Sequence, residues 1–430
     1  MIKAFPSASR SASGPATGLM LSALCSLLAL PLAGTAEAAA IGPGPVPLQT
    51  WPAAKVKALA PLLRSADTAV IESQPNGRLK QLSLFTLIAA PPAVVRDTLL
   101  KADHYAEFAR NFTKSKVSPR PDSSFDHVYE LSYGMFSIDG THRYVPQPAS
   151  ASEESGAPEA PPIEVMDEEE PAGSQRHYRW EFHAVGAATV LAVYGYTDLW
   201  HSGGVVAKLL ERVPQLEHGL ALVSQAALVL AIKQRSEQLT SPPSVLPAAG
   251  GAPYDALLDR GVVVLLRSQG GRLSEVSLID RSLAQPNQVL DVVRKPTEWS
   301  QFIPTITKSA DGGQRDDIAL VDMEQSLPLL SFHTVYGARV SGHTVDMMGL
   351  SGDLRGARMR WEVLPGRGAV SQIVIRSSQQ LDKGSMVIRQ LYKLEPFFEY
   401  GVNVGMQLVV LRGLKTKAEQ LVATNSARAQ

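Results

Sequence analysis

Apolar and polar positions along the chain fall into one series of elements that occurs twice. Thr68 to Glu72, a turn at Asn76-Gly77 and an apolar run from Leu79 to Ile88 predict a β-hairpin. Val262 to Leu266, Gly270-Gly271 and Leu273 to Leu283 predict the same hairpin again. Each second strand ends at proline, Pro91-Pro92 or Pro286, where the first turn of a helix tolerates a missing N–H. Val94, Val95 and Leu99, like Val289, Leu290 and Val293, then have the spacing of one buried helical face. A second short helical turn carries an aromatic plug, Tyr105 and Phe108 or Trp299 and Phe302.

Strand patterns follow at Val128 to Tyr133, Tyr178 to Phe182 and Thr189 to Tyr196, and again at Ala319 to Gln325, Met359 to Val363 and Gln372 to Ser377. Each series closes on a long helix that begins near Pro214 or Pro396 and runs apolar from Leu220 to Ile232 or from Val402 to Leu414. The first of these runs is apolar on nearly every face, so protein should surround it.

The correspondence is residue by residue. Gly77, Arg78, Leu79, Ser83, Thr113, Lys114 and Ser115 meet Gly271, Arg272, Leu273, Ser277, Thr307, Lys308 and Ser309 at a constant offset of 194. A period this long is a domain duplication, because solenoid repeats run at roughly 20 to 50 residues. Arg179-Trp180-Glu181 reappears as Arg360-Trp361-Glu362 at an offset of 181, so the first copy carries an insertion. It lies in 147–175, acidic and proline-rich, and reads as a disordered loop. The resulting plan is a signal peptide at 1–38, a leader with a short helix at 39–64, domain 1 at 65–239, a linker at 240–254 and domain 2 at 255–425.

The amino terminus adds Lys3 and Arg10, an apolar run from Leu19 to Leu32 and Ala36-Glu37-Ala38, the pattern of a cleaved export signal. Periplasmic or secreted localisation is therefore expected. Cys25 is the single cysteine and lies inside that run, so a mature chain would have no disulfide, thiolate nucleophile or cysteine metal site. Formal charge is zero, which argues against nucleic acid as a partner. Nine histidines show no metal spacing, and neither a Gly-x-Ser-x-Gly elbow nor a phosphate-binding glycine loop is present. No cofactor is called for.

A hairpin, two short helices, several antiparallel strands and a long carboxy-terminal helix resemble the START-like superfamily and its helix-grip fold. This group includes polyketide cyclase, lipid-transport and coenzyme-Q-binding START-type domains. The residues that carry the resemblance are Ala90-Pro91-Pro92, Tyr105-x-x-Phe108, Trp180 and the helix from Pro214, then Ala284, Pro286, Trp299-x-x-Phe302, Trp361 and the helix from Pro396. The resemblance implies an α+β chain of two tandem helix-grip domains. Each would be a curved antiparallel sheet wrapped around the long helix, with a hydrophobic ligand between the two.

Strand alternation puts Trp180 with Phe182, and Trp361 with Val363, on one face each. Tyr194 and Tyr196, matched with Ile373 and Ile375, are further candidates for a cavity wall. On the helices, Leu216, Leu220 and Val223 form a stripe matched by Phe398, Val402 and Met406. Each of these side chains either lines a ligand cavity or fills the core, and the pattern allows both. Glu217 and Glu399 sit near helix starts, where the helix dipole accounts for them. Glu130 and Glu324 align within strands, facing either solvent or a cavity.

Three functions remain open at this level. The leading one is a non-enzymatic carrier of a lipid, isoprenoid quinone or polyketide-like ligand, compatible with transient membrane contact. The others are a cyclase- or hydrolase-type enzyme using a cavity carboxylate such as Glu130 or Glu324, and an interaction module with filled cavities.

Overall fold

The computed structural model describes residues 47–109, 111–132, 137–148, 160–167, 176–201, 204–214, 216–240, 254–269, 272–327, 330–366, 370–394 and 400–428. The expected export signal, most of the linker, the flanks of the acidic insertion, Pro396, Phe398 and Glu399 lie outside these residues, as does the side chain of Val402.

Two short helices, α1 (Ala53–Lys57) and α2 (Ala60–Leu63), precede the hairpin of β1 (Asp67–Ser73) and β2 (Leu79–Ile88). Gly77 turns that hairpin at φ +83°, a conformation open to glycine. Helices α3 (Pro92–Leu100) and α4 (Tyr105–Phe108) follow, then β3 (Phe112–Pro119), β4 (Phe125–Ser132) and β5 (Ser137–Pro146). Next come β6 (Ala160–Asp167), β7 (Arg176–Val185), β8 (Ala188–Thr197), α5 (Gly204–Arg212) and the long α6 (Leu216–Gln238).

The second half repeats this order with α7 (Tyr254–Leu258), β9 (Val262–Gln269), β10 (Arg272–Ser282) and α8 (Pro286–Val293). Strands β11 (Ile306–Arg315), β12 (Ile318–Leu327), β13 (Leu330–Ser341), β14 (Thr344–Gly352), β15 (Arg358–Pro365) and β16 (Ser371–Ser378) continue it. Helix α9 (Met386–Leu394), a π-helical turn (Gly401–Gly405) and α10 (Met406–Arg428) close it.

The halves are not two separate sheets tied by a linker. Strands β1 and β9 pair antiparallel, with Thr68 opposite Leu265 and Val70 opposite Val263, and join everything into one sixteen-stranded sheet. Where they pair, Asp67 to Ile71 against Val262 to Leu266, both strands are buried without alternation, because both faces of the sheet are covered there.

One face carries the main core, against which α6 and α10 pack. The other carries a second core in which Trp51, Val56, Leu59, Leu62 and Leu63 of the leader, with Leu257 and Leu258, cover Val70, Phe85, Tyr194 and Leu265. Full burial of each aliphatic side chain is worth about 1.5–3 kcal/mol. Helix α6 is long and apolar enough to cross a bilayer by length and composition, but it is a core helix here, held to the sheet by Gln225 and Lys233.

One expectation is corrected. The insertion is not wholly irregular, since 160–167 within it forms β6 between β5 and β7. Ile163 and Val165 point to the main core, and Ile163 lies opposite Trp180. The neighbouring prolines and acids masked that two-residue alternation.

The repeated sequence is largely fold hardware. Thr113 and Thr307 donate to the carbonyls of Glu130 and Glu324, and Ser115 and Ser309 donate to those of Ala102 and Pro296. Arg78 lies over Trp200 and Arg272 over Tyr392, each pinning the segment that leads into the terminal helix. Lys233 reaches Asp67, and Lys415 reaches Asp280, both at 3.0 Å.

Candidate ligand-binding site

Trp180 and Phe182 lie on the helix-facing side of β7, flanked by Ile163 and Val193, and α6 adds Leu216, Leu220 and Val223. Two residues further back along β7 stand Tyr178 and then Arg176, on the same face by alternation. Register brings a polar row together from five strands there, β4 to β8. Tyr129 (β4) is opposite Gly140, His142 (β5) is opposite Asp167 (β6), and Arg176 (β7) is opposite Thr197. Small residues make room for it: a Cβ on Gly140 would lie 2.8 Å from the Tyr129 hydroxyl, and one on Gly195 would lie 2.6 Å from the Tyr178 ring.

These side chains form a connected set. Arg176 Nη1 donates to the Tyr129 hydroxyl at 2.8 Å and stands 3.8 Å from Asp167 Oδ1. His142 Nε2 is shared between the Tyr129 hydroxyl at 3.2 Å and Asp167 Oδ1 at 3.3 Å. Tyr178 and Thr197 hydroxyls lie 2.6 Å apart. Burial, with Arg176 adding to it, pulls the His142 pKa down to about 3, so the ring is neutral at pH 7. Asp167 and Arg176 offset each other, and the row as a whole is neutral. His142 keeps 17% of its side chain accessible and Arg176 keeps 14%.

A second group closes the neighbouring end. His127 is boxed by Tyr105, Phe112, Tyr129 and Tyr144, with ring centroids 5.2 to 5.9 Å away. The Ser115 hydroxyl spends its proton on Ala102, so it accepts from His127 Nε2–H at 2.7 Å. Burial first, then His142, lowers the His127 pKa to about 3. Burial raises the Tyr105, Tyr144 and Tyr178 hydroxyls above the usual phenol range.

The second half lacks this row. By register, Met323, Tyr336, Gly349, Ala357, Met359 and Gln379 stand where Tyr129, His142, Asp167, Arg176, Tyr178 and Thr197 stand in the first. Trp361, Val363, Ile373 and Ile375 are fully buried in the main core, with Trp299 edge-on to Trp361 at 5.4 Å. Met406 belongs to a separate small cluster with Phe332, Leu354, Leu381 and Ile388.

Two sequence expectations change. Tyr194 lies in the outer core, where its hydroxyl accepts from Trp51 N at 3.0 Å, and Tyr196 shares its parity, so neither faces α6. Opposite Trp180 stands Val193, and opposite Trp361 stands Ile375, which makes Arg376 the counterpart of Tyr194. The matching with Ile373 and Ile375 was out by an odd number of residues, and an odd slip reverses the face. Glu130 and Glu324 point away from α6 and α10, Glu130 pairing with Lys114, so neither serves as a cavity carboxylate. Glu217 takes Leu79 N–H at 2.9 Å and pairs with Arg78 at 3.6 Å.

The polar row itself escaped sequence reading. Its signal was present as Arg176-x-Tyr178-x-Trp180-x-Phe182, one strand face continuing from the tryptophan already singled out.

Sheet, helix pair and gripped terminal helix, twice over, define a tandem helix-grip fold. No known family profile and no curated protein matches the chain. In fold it is similar to the di-domain ARO/CYC BexL from the BE-7585A biosynthetic pathway, at 11% identity over 79% of this chain and 97% of that one, TM-score 0.28. It is also similar to the di-domain ARO/CYC StfQ from the steffimycin pathway, at 15% identity over 79% and 99%, TM-score 0.27. A STAR-related lipid transfer protein from Xanthomonas axonopodis matches at 17% identity over 37% and 93%, TM-score 0.30. At these scores no ligand or activity passes from those proteins to this chain.

Proposed function

We propose that this is an exported carrier whose first half holds a hydrophobic small molecule between its sheet and α6, with the second half serving as a packed support. The observation that carries the reading is the neutral polar row on the helix-facing side, next to an apolar wall of Trp180, Phe182 and Leu220. Such a lining suits a long apolar body ending in an uncharged carbonyl or hydroxyl group, such as an isoprenoid quinone or a polyketide-like ring. An anionic end would meet Asp167. Loading from a membrane surface belongs to the same proposal.

Burying ten methylenes at about 0.8 kcal/mol each supplies roughly 8 kcal/mol before association costs. Micromolar affinity takes about 8 kcal/mol net, so the aromatic wall and the polar row have to offset those costs. The test is mass spectrometry of organic extracts from natively purified protein, with displacement of a hydrophobic dye by the extracted compound. Absence of both a co-purifying compound and displaceable dye would end the proposal.

An acid–base enzyme in the same space is the second reading, favoured by the sharing of His142 Nε2 between Tyr129 and Asp167. It requires the bound compound to be converted, and His142→Gln to stop the conversion while binding persists.

A further inference from the structure

The polar row of the first half ends next to the place where the second half touches it. Tyr178 and Thr197 hydroxyls lie 2.6 Å apart, and the residue after Thr197, Asp198, accepts from Arg78 at 3.4 Å. Arg78 also stands 3.6 Å from Glu217, which takes Leu79 N–H at 2.9 Å. Glu217 and His218 belong to the first turn of α6, which carries Leu216 and leads on to Leu220. Register gathers these groups at one end of the sheet, since Thr197 lies opposite Arg176 and Gly195 opposite Leu82.

Arg412 of α10 reaches this end from the other half. Its guanidinium donates to His218 Nε2 at 2.7 Å, to Ser73 Oγ at 2.9 Å and to the Gly77 carbonyl at 3.4 Å. One side chain thus ties the first turn of α6 to the β1–β2 turn. Hydrogen bonds from a charged donor are about twice as strong as neutral ones.

The second half closes its own equivalent end without such a donor. Ser73 lies opposite Leu79 as Ser268 lies opposite Leu273, and an offset of 182 carries Glu217-His218-Gly219 to Glu399-Tyr400-Gly401. Ser268 Oγ and the Tyr400 hydroxyl, 3.4 Å apart, therefore stand in for Ser73 and His218, 3.2 Å apart. The same offset puts Leu230 at the position of Arg412. The arginine belongs to the second copy alone, and its hydrogen bonds serve the first.

We propose that Arg412 is a positioning residue for the ligand site of the first half. By holding the first turn of α6 against the β1–β2 turn it fixes Leu216 and, through Glu217, Arg78 and Asp198, the polar end of the site. The inference rests on the carrier reading above.

Two measurements on the full chain test it, the first with Nile red as the probe. In stopped-flow displacement, dye should leave Arg412→Met roughly tenfold faster than wild type, the usual size of a coupling between two sites. His218→Gln, which keeps an acceptor for the guanidinium, should release dye at the wild-type rate, and so should Trp361→Ala, which destabilises the second half and leaves Arg412 in place. Equal rates for wild type and Arg412→Met overturn the proposal, as does equal acceleration in Trp361→Ala, which would trace the effect to lost stability alone. Should Arg412→Met not fold, Arg412→Lys carries the same comparison. A wild type that takes up no dye removes the carrier reading and this inference with it. The second measurement needs no ligand: exchange of the Leu79 amide hydrogen, which reports the Glu217 contact, should be roughly ten- to a hundredfold faster in Arg412→Met. Unchanged exchange overturns the path through Glu217.

Discussion

Acid should loosen the seam between the halves through His218. The ring is 1% exposed at the start of α6, and Arg412 of α10 approaches both of its nitrogens, Nη2 at 2.7 Å from Nε2 and Nη1 at 3.1 Å from Nδ1. Ser73 Oγ stands 3.2 Å from Nε2 and 2.9 Å from Arg412 Nη2. A neutral imidazole offers the guanidinium a lone pair; an imidazolium offers none and repels it. Burial, then Arg412, depresses the His218 pKa from 6.5 to about 3. Because the folded value lies below the unfolded one, the unfolded chain takes up the proton first. The stability is complete above about pH 6.5 and is lost as pH falls toward 3, at about 1.4 kcal/mol per unit. At pH 5 this group alone costs about 2 kcal/mol. His127 and His142 add shifts of the same sign, so the comparison must be with His218→Gln, which keeps an acceptor for Arg412. Urea unfolding of both proteins at pH 8 and pH 5 should show the variant losing about 2 kcal/mol less. Identical pH dependence would refute the reasoning.

Gly219→Ala should destabilise by about 1–3 kcal/mol in urea unfolding, because its Cβ would stand 2.6 Å from Gly405 Cα and only separation of the two helices relieves backbone against backbone. Gly405→Ala, whose Cβ meets only Leu216 Cδ2 at 3.6 Å, should remain within about 1 kcal/mol of wild type. Tyr129→Phe removes the hydroxyl that links Arg176 to His142 and should weaken ligand affinity by about 0.5–1.5 kcal/mol in dye displacement. Tyr194→Phe, on the other face, should leave affinity unchanged and cost about 1 kcal/mol of stability from the lost Trp51 contact. Trp361→Ala should cost about 3–5 kcal/mol in thermal or urea unfolding of the second half without shifting first-half affinity.

The duplication, both hairpins, the proline-started helices and the terminal helices were legible because each leaves a strong local pattern. Strands β3 and β11 were not, since they are the polar edges of the sheet: most of their positions face water and carry no alternation of apolar residues. Strand β6 was hidden for the opposite reason, its inward Ile163 and Val165 standing among prolines and acids. The polar row is an assembly of residues spread from Tyr129 to Thr197, and only register brings them side by side. Tyr194 and Tyr196 show the limit of comparing copies by eye, because an odd error in alignment between strands moves a residue through the sheet.

The union of β1 with β9 explains how one half can specialise without loss of the other. Separate sheets would each expose the edge of an apolar strand, a template for unwanted pairing. Joining them leaves only the polar β3 and β11 at the ends. The second half therefore contributes by closing that edge, by sending Arg412 across to His218 and by packing Gly405 against Gly219, whatever its own interior contains. Its core was thus free to fill with Met323, Tyr336, Met359 and Trp361, while the first half kept the neutral polar row. What the copies share, Thr113 and Thr307, Ser115 and Ser309, Arg78 and Arg272, holds strands and helices in place. Function must be sought where they differ, and that difference faces α6.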